Sequence, residues 1–161
     1  MRGSRTGART AALARRVLPW LAAWAVAQVA VRLLGRLASA RWDADDAGGI
    51  RRVVAMDALE LCPTDPALSR IDVHLVMAGG EIDLTGIAET PGIDLTVRAV
   101  MGGLAVRVPP DWRVWSRFRG VGGIGTDGGL TRTHDPHAAD LRVHGLAVFG
   151  GIGVEAAPRG A

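Results

Sequence analysis

The chain has 161 residues, nearly half of them hydrophobic, with five Trp, two Phe, no Tyr and a single cysteine. That length holds one domain plus an appendage, the lone Cys62 excludes an intrachain disulfide, and the core must be built from Val, Ile, Leu, Ala and Met. The net charge of +3 averages two unlike parts: residues 1–41 carry eight Arg and no acid (+8), and residues 42–161 carry eleven Arg against sixteen acids (−5).

Residues 1–16 form a basic tail carrying Arg2, Arg5, Arg9, Arg15 and Arg16. An uncharged run over 17–31 follows, rich in Ala, Leu and Val, with Pro19 suited to a first helical turn. These features predict a helix over 17–41. Its first expectation is a single-pass membrane anchor with the N-terminus cytoplasmic, set by the arginines ahead of it. The run is shorter than the about 20 residues of a full span, so Arg16 and Arg32 would snorkel and Trp20 would sit in the interfacial belt. Three alternatives stay open. Gln28, Arg32 and Arg36 share one face, as in a surface-lying helix. Ala38-Ser39-Ala40 resembles a signal-peptide cleavage site. The helix can also pack on the downstream domain. A basic excess confined to an apolar stretch fits an anionic membrane surface, while the mildly acidic remainder would repel phosphate backbones, so nucleic acid is not an expected partner.

Residues 42–49, with Asp43, Asp45, Asp46, Gly48 and Gly49, read as a linker. From residue 50 to 156 apolar and polar residues alternate with period two. Ile71, Val73 and Leu75 point one way, as do Leu95, Val97 and Ala99, then Leu104, Val106 and Val108. Trp112, Val114 and Phe118 continue the pattern, broken by Ser116, and Leu141 and Val143 open another strand. A phrase recurs through this region: an apolar residue, two glycines, an apolar strand. It falls at Gly79-Gly80, Gly102-Gly103, Gly122-Gly123 and Gly150-Gly151, and a degenerate copy at Asp57-Ala58 lies 22 residues before Gly79-Gly80. Recurrence every 20–30 residues predicts stacked units, with glycine at the corners for positive φ and close backbone approach. The expected fold is all-β: a short β-helix or solenoid-like domain of about five glycine-cornered rungs, preceded by one α-helix. A β-sandwich is the alternative. Residues 157–161 read as a disordered tail.

The run from Leu95 to Val114, centred on Met101-Gly102-Gly103-Leu104-Ala105-Val106-Arg107-Val108-Pro109-Pro110, resembles the central signature of the C-terminal domain of LiaF-type proteins, the cell-wall-active-antibiotics response proteins. Leu141-Arg142-Val143-His144-Gly145-Leu146-Ala147-Val148-Phe149-Gly150-Gly151 is similar to the closing motif of that domain. The toastrack domain of phage-shock-protein C is related. The resemblance covers about residues 50–155. It implies a β-solenoid-like domain on a membrane segment, acting in bacterial envelope-stress signalling as a regulator of a sensor kinase. Members usually carry several membrane helices, where this chain has one short apolar run.

Five groups of residues carry candidate chemistry. His134 and His137 bracket Asp135, but Pro136 disfavours a helical face and the spacing matches no zinc motif, so a surface loop is expected. Glu81 and Asp83 share a strand face about 7 Å apart, as paired carboxylates of a glycoside hydrolase would, yet they alternate with Ile82 and Leu84 like any solvated face. The run Gly120-Val121-Gly122-Gly123-Ile124-Gly125 superficially resembles a phosphate loop, but no helical pattern follows it. Leu61, Pro63 and Thr64 give Cys62 no base, which predicts an inert thiol. His74 and His144 fall on polar strand faces. No catalytic, cofactor or metal site is therefore expected, and the chain is read as non-enzymatic. The expected function is a membrane-tethered binding or regulatory protein. The rival readings are a glycan-binding or carbohydrate-active β-helix and a self-assembling scaffold, the last because stack ends expose strand edges. Expected partners are the membrane, a sensor kinase or other membrane protein, and further copies of the chain.

Overall fold

The computed structural model describes Val29 and residues 43–87, 89–90, 92–127 and 129–158. The predicted N-terminal helix lies outside these residues except for Val29, which is helical and exposed. The predicted tail likewise lies outside them from residue 159 onward. Among the described residues, no helix is long and apolar enough to cross a membrane.

The described part is all-β. Ten strands make one curled, open sheet: β1 (Ala44–Asp46), β2 (Gly49–Ala55), β3 (Ala58–Leu61), β4 (Arg70–Val76), β5 (Gly79–Asp83), β6 (Ile93–Val100), β7 (Gly103–Val108), β8 (Arg113–Thr126), β9 (Thr131–Arg132) and β10 (Leu141–Ala156). All pairings are parallel except that of β1 with β2. Residues 44–46, expected to be linker, form that antiparallel edge strand. Asp43 and Asp45 hold it there: the Asp43 carboxylate accepts from the Val53 N–H at 2.9 Å, and Asp45 pairs with Arg52 at 2.6 Å.

Five strand–corner–strand units stack side by side: β2–β3, β4–β5, β6–β7, and the two long strands β10 and β8. The first halves form one arm, the second halves another, and a row of corners joins them. The inward sets predicted from period two are buried, including Ile71, Val73, Leu75, Leu95, Val97, Leu104, Val106 and Val108. Both arms feed one core.

The stacking order departs from chain order. β10 pairs with β6 and β7 on one side and with β8 on the other, so the last unit in sequence lies inside the fourth. The segment between them makes the detour through β9 and a short 3-10 helix at Pro136–Ala138. Arg142 fixes β10 against β6: its guanidinium donates to Asp94 at 2.5 and 3.0 Å and to the Gly92 carbonyl at 3.3 Å.

The corners also differ in register from the sequence phrase. Gly79 aligns with Gly103, Gly151 and Gly123, while Gly80 aligns with the inward Leu104. The degenerate unit is shifted by one, with Ala58 opposite Gly79. Positive φ falls just before the pair at Met56 (53°), Met101 (54°) and Phe149 (57°), and two residues before Gly79 at Met77 (49°); among the corners, only that of β8 has glycines carrying it, at Gly120 and Gly122. At Met101 and Phe149 the next position is glycine for close approach, where the second unit has Ala78. A Cβ on Gly102 would lie 2.1 Å from the Ala78 carbonyl oxygen, and one on Gly150 would lie 2.1 Å from that of Gly102.

Candidate functional site

The corner row carries two adjacent columns of outward residues that period-two reasoning did not single out. One is Ala55, Val76, Val100, Val148 and Val121, joined strand to strand by the register. The next is the left-handed set Met56, Met77, Met101 and Phe149. Their backbones form a ladder: the Met56 N–H donates to the Val76 carbonyl at 2.9 Å, Met77 to Val100 at 2.8 Å and Met101 to Val148 at 2.8 Å. Hydrogen bonding thus holds the Met56, Met77 and Met101 corners in left-handed geometry.

The result is an exposed apolar ridge. Phe149 is 67% exposed, Met101 and Val121 are 57%, and Met77, Val76, Val100 and Val148 lie between 44% and 52%. Single exposed apolar side chains are ordinary, whereas a contiguous row is a mark of an interaction surface. At strand spacing, the four units that carry these exposed residues extend it over about 15 Å, with the half-buried Ala55 and Met56 at its end. One sequence signal pointed here: each glycine phrase opens on an apolar residue out of phase with the inward set.

The flanks of the ridge differ in charge. On the first arm, the next outward column is Val53, His74, Arg98, Leu146 and Arg119, and the one beyond it is Arg51, Asp72, Thr96, His144 and Arg117. Arg98, Arg117, Arg119 and His144 line a shallow depression of about 310 Å³. His74 is half-buried; burial, with the nearby Arg98 and Arg51 guanidinium groups, pushes its imidazole below the ordinary value, and Asp72 offsets part of this. The Trp115 and His144 rings lie 5.1 Å apart, tilted at 58° to each other. On the second arm, the column beside the corners is Gly79, Gly103, Gly151 and Gly123, and the acids Glu60, Glu81, Asp83 and Glu155 lie farther out with Arg107. One arm is basic outside and the other acidic.

The residues weighed for chemistry are not brought together into a site. Glu81 is paired with Arg107 at 2.5 Å. The Asp83 carboxylate accepts from the Thr85 hydroxyl at 2.6 Å and its N–H at 2.9 Å; these bonds hold its pKa below the usual carboxylate value. Asp135 caps the 3-10 helix by accepting from the His137 N–H at 2.9 Å, and His134 and His137 are exposed in that loop. Among the described residues, no group of three or more His, Cys, Asp or Glu is placed to hold a metal ion. Cys62 is free and exposed. The glycine-rich run is the corner of β8.

No family model, curated protein or solved structure matches the chain.

Proposed function

We propose that this is a non-catalytic, membrane-tethered docking module built as a short β-solenoid, whose corner ridge rests on an anionic lipid surface. The observation that carries this reading is the stacking of Met56, Met77, Met101 and Phe149 in left-handed backbone. That conformation costs an ordinary L-residue about 1–2 kcal/mol, and Gly or Asn would adopt it more readily. Retaining bulky apolar groups there, turned toward solvent, points to a surface that uses them. Arg98 and Arg119 beside the ridge suit lipid phosphates. The +8 segment over 1–41, with its apolar run, supplies a tether of the same preference. The resemblance to LiaF-type domains adds the biological setting: envelope-stress signalling beside a sensor kinase or another membrane protein at the cell membrane.

The test uses the full chain with Cys62→Ser and a single environment-sensitive fluorophore, either at Phe149→Cys on the ridge or at Glu155→Cys on the far arm. With vesicles containing phosphatidylglycerol, the ridge label should shift to the blue and be quenched by nitroxide lipids, while the far-arm label stays aqueous. Adding Met77→Asn and Met101→Asn keeps a residue suited to left-handed backbone and should abolish the ridge shift without unfolding the domain. A ridge label that stays aqueous on vesicle-bound protein overturns the proposal, because the N-terminal segment alone would then explain binding.

A further inference from the structure

We infer that two copies of the chain pair through β8, edge to edge and antiparallel, about a two-fold axis through Val121. This inference stands independently of the lipid reading.

The two ends of the stack are unequal. At the β2 end, β1 pairs with Gly49–Arg51, the Asp43 carboxylate takes the Val53 N–H, and the second arm ends in the four-residue β3, so the open runs there are short. At the other end lies β8, fourteen residues long, with β9 pairing only at Arg113 and Val114. Among the described residues, no strand pairs with the outer edge of β8 from Trp115 to Thr126, and at its end the Arg132 guanidinium donates to the Thr126 carbonyl. Long open edges are templates for another strand, and native proteins usually shorten or block them.

The hydrogen-bonding phase of that edge is fixed by the structure. The Arg113 carbonyl accepts from Asp140 on the β10 side, and the Val114 carbonyl accepts from Thr133 on the open side. At the far end, the Asp127 N–H donates to Val154 of β10. Because these directions alternate, Ser116, Phe118, Gly120, Gly122, Ile124 and Thr126 present their backbone groups to the open edge.

A strand bent at a corner can be stacked antiparallel on its own copy. A two-fold axis along the bisector of the two arms lays the first arm of one copy over the second arm of the other. Centred on Val121, this register places Phe118 opposite Ile124, Ser116 opposite Thr126 and Gly120 opposite Gly122. All six edge residues then meet as hydrogen-bonded pairs, with inward side chains facing inward in both copies.

Three features left unexplained by a single copy fit this register. The Thr126 Oγ1 is the buried side-chain polar atom that lacks a partner among the described residues, and Ser116 of the second copy brings it a hydroxyl. Phe118 and Ile124, half-buried against the core's end, cover each other as an aromatic and β-branched pair. The outward Gly123 and Gly125 have nothing within 4 Å of a built Cβ, so nothing in one copy requires glycine there; opposite them run Arg119 and Arg117 of the second copy, whose side chains need that room. Arg117 also reaches diagonally toward the second copy's Asp127. One contact must adjust: the Arg132 guanidinium reaches the Thr126 carbonyl at 3.4 Å in the single copy.

The register is tested by cysteine crosslinking of the full chain with Cys62→Ser. Val121→Cys lies on the axis in a non-hydrogen-bonded pair, about 4.5 Å between Cα atoms, within disulfide range. Mild oxidation should convert most of it to a covalent dimer. Val76→Cys is also exposed on the same ridge, at 44% against 57% for Val121, but sits three strands inward and should not crosslink. Ser116→Lys, at a position exposed in one copy, should leave a folded monomer by light scattering and remove the Val121→Cys crosslink. A Val121→Cys protein that remains monomeric, that crosslinks only to other proteins, or that crosslinks no better than Val76→Cys overturns the inference.

Discussion

Gly150 and Gly153 lie three residues apart in β10, yet physical chemistry assigns them opposite roles. A Cβ at Gly150 would sit 2.1 Å from the Gly102 carbonyl oxygen, and backbone cannot yield that distance; at Gly153 nothing lies within 4 Å. Gly150→Ala should therefore lower unfolding free energy by about 2–4 kcal/mol, and Gly153→Ala should change it by less than about 0.5 kcal/mol. Urea unfolding of the two full-length variants checks this, and equal effects would mean that glycine is not needed for stacking at the corner. The sequence marked Gly102-Gly103 and Gly150-Gly151 as corners because an apolar strand follows each. It did not show which glycine does the work, nor that the preceding Met or Phe takes the left-handed turn. The ladder of N–H donors from Met56, Met77 and Met101 sets that conformation, and a contact with the next unit is invisible in a local pattern.

Elements were legible where one face is buried. Ile71, Val73 and Leu75 alternate with polar neighbours because water meets only one side of β4. β1 was missed because its residues Ala44–Asp46 are all exposed, leaving no alternation to see. The position of β10 between β7 and β8 was also hidden, since every unit offers its neighbour the same apolar column. The extra length between Gly123 and Gly151 was its one trace. What selects β6 as the neighbour of β10 is visible only in three dimensions: the Arg142 guanidinium on Asp94 holds that carboxyl below the usual carboxylate range. A folded-state pKa below the unfolded value of about 3.9 stabilises the fold above that pH and loses its effect as pH falls through the lowered value. Arg142→Gln should cost about 1 kcal/mol at pH 7 and much less near pH 2. Thermal unfolding of wild type and variant at both pH values measures the difference, and a pH-independent gap would assign the loss to packing.

At the scale of the whole molecule, ridge and edge share one geometry. The two-fold axis proposed through Val121 runs along the bisector of the arms, so it leaves the molecule at the corners. The ridges of both copies then fall in line and face the same way, making one continuous apolar row with Val121 at its midpoint. Arg98 and Arg119 of the second copy come to the opposite flank, because its arms are reversed. Each flank of the paired ridge would then carry cations, where a single copy has them on one side. Two linked contacts hold a surface more strongly than either alone, without any new contact chemistry. Their electrostatic part is screened as the Debye length falls to about 10 Å at 0.1 M salt. The label at Phe149→Cys reads this in vesicle-bound full chain, whatever the N-terminal segment does. Its blue-shifted signal should revert at a severalfold lower salt concentration when Ser116→Lys is added. Equal salt midpoints would show that the two ridges do not act together on the lipid, even if the copies pair.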